Sequence, residues 1–578
     1  MNLLTNFKKL FGLFNKKEKK NSTIMIILIA VGGIAETIGI GVILPFTTVL
    51  LDQTSVDRYP ILQTITEISW VGGYRRFIVI MCIALVLIFI LKSLYMFFLM
   101  YVQNRFTLNR QIEMSKKLFQ SYIYKPYEFF FSQNTAELQR NVNTLVASII
   151  QGMLMAGLYM LTEMMIVAFI VILLLIVDPI STIGIMVILG GVVITLYTLL
   201  KHRLDRAAKK QNVFGTDMFK QVKEGLGSIK DIKVLGREAN FLNNFERSGR
   251  GFAKMTAFAN IAAQSPRLLI ETIAVSGLVI IVVINALRSP DMGASLPTIA
   301  LFGMAAIRIM PSMNRIVGYM TTIRFNTVHF HKIYDDLKEA VSTEKTEPET
   351  KENKINLNKN IELRNLTYSY PEAKQNVLEN INLTIEKGQA VGIVGSSGAG
   401  KTTLVDIMLG LLTPQQGKLL VDGEDITNNM KPFRQNVGYV PQSIFVIDDA
   451  IDANVAFGIP KDEIDTEKVW AALEIANLKQ FAESLPEKLE TNIGEAGMRL
   501  SGGQLQRIGI ARALYHNPEI LIFDEATSSL DSESEKVITE AITTIGHSKT
   551  MIIIAHRVNT LEKCDVIYEV KDKGILRL

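Results

Sequence analysis

Apolar and polar positions divide this chain into two halves. Up to about residue 325, long apolar runs alternate with polar stretches; beyond it, apolar runs of strand length alternate with charged ones. Six long apolar spans stand out, at about 23–51, 76–102, 144–177, 180–200, 258–286 and 296–322. Each can cross a bilayer as a helix, which takes roughly 20 residues. Asp178-Pro179 alone separates the third from the fourth and predicts a tight turn. The intervening segments 103–143 and 201–257 are rich in cations, among them Arg105, Arg110, Lys116 and Lys117, then Lys201, Arg203, Arg206, Lys209 and Lys210. Such segments stay on the cytoplasmic side, which also places the N-terminus there and returns the chain to the cytoplasm after the sixth span.

Four further segments complete the plan. Residues 1–22 carry Leu3, Leu4, Phe7, Leu10, Phe11 and Phe14 at helical spacing, followed by Lys16, Lys17, Lys19 and Lys20, the pattern of an amphipathic helix on the inner membrane surface. Segment 52–75 falls outside; with Ile61, Ile65, Ile68 and Trp70 it reads either as a short interfacial helix or as a loop. The membrane domain therefore covers 23–334, and the charge-mixed stretch 335–360 is a linker. A soluble domain with α/β alternation follows over 361–578.

Composition agrees with this division. Of 578 residues, 48% are hydrophobic, and the mean hydropathy is +0.25, high for a soluble protein. A net charge of +5 is too small to argue for a nucleic-acid partner. Two cysteines, Cys82 and Cys564, make neither a disulfide framework nor a zinc site. No small-residue cleavage site follows the first span, so it does not read as a secretory signal.

The soluble half holds the plainest chemistry. Gly395-Ser396-Ser397-Gly398-Ala399-Gly400-Lys401-Thr402 fits G-x-x-x-x-G-K-[ST]. Before it, Ala390 to Val394 reads as a buried strand; after it, Thr403 to Leu409 reads as a helix stopped by Gly410. In that setting successive backbone N–H groups converge on phosphate oxygens, and the helix N-terminus adds positive potential. Lys401 can neutralise phosphate charge and Thr402 can ligate Mg²⁺. Downstream, the apolar run Ile520 to Phe523 ends in Asp524-Glu525, where Asp524 suits Mg²⁺ and Glu525 can polarise an attacking water.

With Leu500-Ser501-Gly502-Gly503-Gln504 added, and with Gln442, Ser529-Leu530-Asp531 and His556 in their order and spacing, residues 361–578 resemble the nucleotide-binding domain of ATP-binding-cassette (ABC) proteins. The resemblance implies ATP and Mg²⁺ as cofactors. It implies phosphate and Mg²⁺ binding by Lys401, Thr402 and Thr403, a Mg²⁺ and water ligand in Gln442, and adenine stacking by Tyr370. Glu525 would be the catalytic base, His556 a γ-phosphate contact, and Asp531 part of the D-loop. Ser501, Gly503 and Gln504 belong to the signature, of which Ser501 and Gly503 would contact nucleotide held by the other cassette of a dimer. Gly494-Glu495-Ala496-Gly497 resembles the exporter x-loop, with Ala496 where Arg is commoner. All catalytic positions are intact, which favours a homodimer. The membrane half resembles the type I ABC exporter domain, with 121–137 and 218–238 as its two coupling loops. The expected fold is thus a six-helix membrane domain followed by an α/β P-loop NTPase domain, sited in the cytoplasmic membrane with both termini inside.

Charges within the spans bear on what is moved, because they are costly there and functional by default. They are Glu36, Lys92, Glu163, Arg267, Glu271, Arg308 and Arg315. Arg308 and Arg315 lie seven residues apart and share a helix face with Ser312 and Tyr319. A stripe of this kind lines a cavity, with Lys92 and Arg267 as weaker candidates. The packing alternative pairs Arg267 with Glu271, and sets Glu36, Glu163 or Glu271 against the other cations. Arginine suits phosphate because its planar fork offers paired donors. Residues 308–316 resemble the sixth span of flippases for polyprenyl-pyrophosphate-linked oligosaccharides, and Ser265-Pro266-Arg267 and segment 52–75 are similar to that subfamily. This implies a lipid-linked oligosaccharide moved from inner to outer leaflet. A multidrug or lipid-A-type exporter is the first alternative. A peptide exporter ranks lower, because such proteins often carry an N-terminal peptidase-like domain and only about 22 residues precede the first span. A soluble regulator or mechanical ATPase is opposed by the six spans.

Overall fold

In a computed structural model of the chain, the described residues are 3–51, 74–265, most of 267–279, 292–342, 354–494 without Glu372 and Lys374, 497–524, 543–554 and 563–578. They form two compact units. One comprises Met1–Lys125 and Gln133–Thr346; the other comprises Pro126–Ser132 and Glu347–Leu578. The external segment, read above as interfacial helix or loop, lies outside the described residues over 52–73.

The first unit is helical. A short helix α1 (Leu3–Gly12) precedes α2 (Lys16–Gly41), which continues after a one-residue break as α3 (Ile43–Leu51). Leu10 is fully buried, as are most of Leu13 and Phe14, so the amphipathic segment packs through its apolar face. Asn15 caps α2 in a reciprocal box with Glu18. The long helices that follow are α4 (Tyr74–Ile123), α5 (Ala156–Val177), α6 (Pro179–Gly227), α7 (Glu238–Gln264) and α8 (Met292–Ser342). Asp178 makes the predicted turn between α5 and α6: its Oδ1 accepts from the Ser181 amide at 3.3 Å and its Oδ2 from the Ser181 hydroxyl at 2.6 Å. Pro179 occupies the first turn of α6, where its missing donor costs nothing.

Helices α4, α6, α7 and α8 run far past the apolar spans. The cation-rich segments 103–143 and 201–257 are largely continuations of helices rather than loops. They are held by narrow apolar seams, such as Leu204, Ala207 and Ala208 of α6 against Ala259 and Ala262 of α7 and Phe325 of α8. Ion pairs finish them: the Arg324 guanidinium Nε lies 2.6 Å from Asp205 Oδ1. Likewise α8 carries eight residues into the stretch 335–360 read as linker, because Leu337 and Ala340 extend its buried stripe and Asp336 accepts from the Tyr122 hydroxyl at 2.7 Å. Close helix approach depends on glycine at Gly33, where an added Cβ would stand 2.8 Å from the Phe169 ring of α5. On the other side, α4 exposes Val79, Ile83, Val86, Leu87, Ile90 and Leu94, as a lipid-facing surface requires.

The second unit holds two sheets. Antiparallel strands β1 (Asn360–Tyr368), β2 (Leu378–Glu386), β4 (Gln416–Val421) and β5 (Glu424–Asp425) form one, in the order β2-β1-β4-β5. The other comprises β3 (Ala390–Val394), β6 (Val437–Val440), β7 (Ile520–Asp524), β8 (Thr550–Ile554), β9 (Val566–Lys571) and β10 (Gly574–Arg577), in the order β10-β9-β3-β8-β7-β6. All its pairings are parallel except β9 with β10. Strands β7 and β8 are buried at every position, which is why they read as unbroken apolar runs. Helices α9 (Lys401–Met408) and α10 (Gly502–Leu514) begin within the two glycine-rich motifs.

Helix α10 lies so close to β6 that a Cβ on Gly438 would meet the Ala513 carbonyl oxygen at 2.5 Å and Leu521 at 2.7 Å. A backbone carbonyl cannot rotate away. Gly438→Ala should therefore cost about 1–3 kcal/mol of cassette stability by overpacking, read as a lower thermal unfolding midpoint. Gly227→Ala is the control, because nothing lies within 4 Å of a Cβ built there.

Candidate functional site

Four neighbouring strands of the large sheet, β3, β8, β7 and β6, run parallel and end on one edge. Every strand of this set leads into a motif found above: β3 into Gly395, β8 toward His556, β7 into Asp524-Glu525 and β6 toward Gln442. Ligands of open parallel sheets bind at this carboxyl-terminal edge. Glu525, Asp531 and His556, and also Glu495 and Ala496 of the x-loop, lie outside the described residues.

The phosphate loop has the backbone its chemistry needs. Gly395, Gly398 and Gly400 take φ of 154°, 81° and 104°, a backbone that side-chain-bearing residues rarely adopt. At Gly395 a Cβ would also stand 2.5 Å from the Val570 carbonyl oxygen. Ser396, Ser397 and Ala399 complete the loop, and Gly400 caps α9. Lys401 is buried, and its Nζ donates to the carbonyls of Gly395 at 3.0 Å and Ser396 at 3.1 Å. Thr402 is exposed, whereas Thr403 is buried. Helix α9 ends as expected: Leu409 is its cap and Gly410 takes a φ of 66°.

Tyr370 joins the loop from β1's end. Its hydroxyl is 2.9 Å from Thr403 Oγ1, and its ring meets Tyr368 and Phe131 edge-on. Phe131 belongs to the segment Pro126–Ser132 of this same unit, the middle of the stretch 121–137 read above as the first coupling loop. That segment forms a single 3₁₀ turn, Tyr127–Phe131, and Glu128 accepts from the Tyr368 hydroxyl at 3.1 Å. This link to Glu128 was not legible, since the two residues are 240 positions apart.

Two acids meet near the strand edge. Asp524 is buried at the end of β7, and Tyr439 of β6 donates to its Oδ2 at 3.3 Å. Asp406, on the buried side of α9, has its carboxyl pushed up to about 6 by burial and then by the Asp524 charge. The Tyr439 hydroxyl is driven upward for the same two reasons. Sequence reasoning passed over Asp406; its signal was one acid amid the apolar positions Leu404, Val405, Ile407 and Met408. Hard oxygen donors are what Mg²⁺ takes, and Asp524, Thr402 and the exposed Gln442 all supply them.

The signature sits at the start of α10. Ser501 is its N-cap: Ser501 Oγ accepts from the Gln504 amide at 3.3 Å, while Gln504 Oε1 accepts from the Ser501 amide at 2.8 Å. Gln504 is thus a helix-capping residue, and Ser501 and Gly502 are exposed with Gly503 half-buried. An exposed N-terminus on a 13-residue helix is a ready anion site.

In the membrane unit the candidate cations are brought together with acids. Lys92 Nζ lies 2.7 Å from Glu36 Oε2, Arg308 Nε 2.8 Å from Glu36 Oε1, and Arg315 Nε 2.6 Å from Glu163 Oε1. Arg308 also reaches Glu163 at 3.6 Å and donates to Ser312 Oγ at 2.9 Å. Tyr319 extends the stripe and faces Tyr159 with ring centroids 5.8 Å apart. Arg267 stands apart from this group; it is 72% exposed, with Glu271 at 3.9 Å. The intrahelical pair was visible in the sequence, whereas the partners of Arg308 and Arg315 lie 272 and 152 residues away.

Comparison with known proteins agrees with both halves. Residues 22–284 match the ABC transporter transmembrane region and residues 378–528 match the ABC transporter domain. The chain is 30% identical to an ATP-dependent lipid A-core flippase of Saccharophagus degradans, over 85% of this chain and 82% of the relative. It is 31% identical to the heterocyst differentiation ATP-binding protein HepA of a Nostoc species, over 80% of this chain and 74% of the relative. Among solved structures it is similar to a bacterial Atm1-family ABC exporter with ATP bound, with a TM-score of 0.76 at 19% identity, covering 97% of this chain and 95% of the other. The chain therefore belongs to the ABC transporters, as a half-transporter of exporter fold that couples ATP hydrolysis to transport.

Proposed function

We propose that two copies of this chain form a homodimer in the cytoplasmic membrane, with both termini inside, and use ATP and Mg²⁺ to move a polyprenyl-pyrophosphate-linked oligosaccharide from the inner to the outer leaflet. The observation that carries the substrate class is the polar stripe Arg308, Ser312, Arg315 and Tyr319 on α8, joined to Lys92. Arg315 is its open end, with 41% of the side chain exposed. Exposed guanidinium within an apolar span calls for water or an anion beside it. Phosphate oxygens fit the guanidinium fork. Arg267 and Lys92 are secondary contacts in this reading. A lipid-A-type glycolipid is the second reading, favoured by the relative's name. Flipping of a fluorescent polyprenyl-pyrophosphate glycan in proteoliposomes, against lipid A and a drug panel, separates the two.

At the cassette, the phosphate loop from Gly395 to Thr403 would hold the nucleotide phosphates, with Lys401 released from its loop carbonyls to reach them. Tyr370 would stack on adenine, and Thr402, Gln442 and Asp524 would hold Mg²⁺, which neutralises phosphate charge when bound. Glu525 would take the proton of the attacking water, and His556 and Asp531 would complete the site. Signature residues Ser501, Gly503 and Gln504 would close the other copy's site. Support for two copies comes from that exposed signature and from Val234 and Leu235, 78% and 68% exposed on the short helix Ile229–Leu235 of the second coupling loop.

Glu525→Gln should bind ATP yet hydrolyse it roughly a hundredfold slower or worse, because an amide cannot accept the water's proton; wild-type turnover in a phosphate-release assay would rule out this base. In a mixture, a Lys401→Ala chain paired with a Ser501→Ala chain keeps one intact composite site of two. Tagged heterodimers should therefore regain up to half the wild-type ATPase, and full-rate hydrolysis by isolated monomers would defeat the dimer. Arg315→Ala should cut flipping per folded molecule by about tenfold or more while basal ATPase persists, the loss of one charge-assisted contact of ~1.5–3 kcal/mol. Arg308→Ala should in addition lower the thermal midpoint, since Arg308 bridges two buried acids.

A further inference from the structure

We propose that Glu163 is a built-in counter-anion: it holds Arg315 when no substrate anion is bound, and yields Arg315 to the anionic group of the lipid. On this view a carboxylate of the protein, competing with the substrate, sets which headgroups are carried. The inference rests on the anionic-lipid reading above and adds a specificity-determining residue to it.

The geometry orders the five charges in one line, Lys92–Glu36–Arg308–Glu163–Arg315, across α4, α2, α8 and α5. Three cations face two carboxylates, so one positive charge is in surplus. Both carboxylates are deeply buried: their side chains are 7% and 11% exposed. A carboxylate buried there without a cation beside it would be costly. The cations differ. Arg308 touches both acids and is 19% exposed, so its removal breaks the line in two. Lys92 is 16% exposed and, among the described residues, pairs with one acid, Glu36. Arg315 is 41% exposed, has Glu163 as its acid, and sits at the end of the line.

Arg315 can therefore be withdrawn at least electrostatic cost. If it swings to another anion, Glu163 keeps Arg308 at 3.6 Å, and the four inner charges balance. The exchange leaves no buried charge alone. An uncharged headgroup gains nothing from this, because it offers Arg315 no replacement for the two contacts it would lose, 2.6 and 3.3 Å to the Glu163 oxygens. A phosphate or pyrophosphate offers paired oxygens of its own. The same competition drives release: once the lipid anion meets water, Glu163 can retake Arg315.

The test uses the full-length protein in phosphatidylcholine nanodiscs, with farnesyl pyrophosphate and its uncharged counterpart farnesol as probes of stimulated ATPase. Glu163→Gln removes the competitor and leaves Arg315 in place. The farnesyl pyrophosphate concentration for half-stimulation should fall about tenfold, the farnesol response should not move, and the maximal stimulated rate should drop because release slows. Glu163→Gln with Arg315→Gln should lose the gain. Should Glu163→Gln fold poorly in a thermal scan, Glu163→Asp, which keeps the charge and shortens its reach, carries the same comparison with a smaller shift. An unchanged or higher half-stimulation concentration in the Glu163 variant overturns the proposal, as does a gain that survives in the double variant. The wild type judges the anionic-lipid reading separately. If it treats both probes alike while the Glu163 variant discriminates, both that reading and the exchange fail, because Glu163 then never yields Arg315; a wild type that discriminates beside an unchanged Glu163 variant keeps the reading and overturns the exchange alone. If neither discriminates, both fail.

Discussion

Ionised side chains among apolar helices persist only beside opposite charge, since desolvation costs several kcal/mol per ion and only close pairing returns it. In the membrane unit this constraint selects which helices must meet. Glu36 on α2 takes Lys92 from α4 and Arg308 from α8; Glu163 on α5 takes Arg308 and Arg315 from α8. Apolar packing alone would tolerate many rotations of α8, because one apolar face resembles another. The ion line does not: turning α8 by one residue would part both guanidinium groups from Glu36 and Glu163. Apolar seams such as Ile40, Ile166, Ile170 and Leu301 then fill the space beside the line.

A different economy governs the cassette. Its parallel sheet is apolar at nearly every position of β3, β7 and β8, and polar chemistry begins where those strands stop. Acid and tyrosine pack behind the phosphate loop, with Asp406, Asp524 and Tyr439 sharing one buried neighbourhood. Burial first, and then the Asp524 charge, raises the Asp406 carboxyl, and the negative charge there favours whatever cation comes to the strand edge. The phosphate loop in turn presents Lys401, bound to the carbonyls of Gly395 and Ser396. On the proposed reading, the positive loop serves phosphate and the negative strand ends serve Mg²⁺.

Legibility from sequence followed the range of the interaction. Local features were readable: the strand, loop and helix around Lys401, the Gly410 stop, and the Asp178-Pro179 turn all rest on contacts within a few residues. Helical extensions beyond the membrane were not, because their buried stripes are narrow and their outer faces carry enough Lys and Arg to resemble loops. Leu337 and Ala340 show the problem: two buried positions keep α8 going through a stretch whose composition reads as linker. Gln504 shows another. Its place in the signature was plain, yet its bond to the Ser501 amide is a helix-start device that the motif does not announce.

The partners of Arg308 and Arg315 mark the limit of sequence reasoning most clearly. Periodicity placed both arginines on one face, and the charges within the spans named Glu36, Glu163 and Glu271 as possible counter-ions. Neither could say which acid meets which cation across 272 and 152 residues. That pairing changes what the arginines mean. Two free cations would make a site whose strength is set by arginine alone. On the proposed reading, two cations already engaged with carboxylates make a site whose strength is a difference, between a substrate anion and the protein's own carboxylates. Differences of this kind can be tuned by either member, and they allow binding and release at one place without a large intrinsic affinity to overcome.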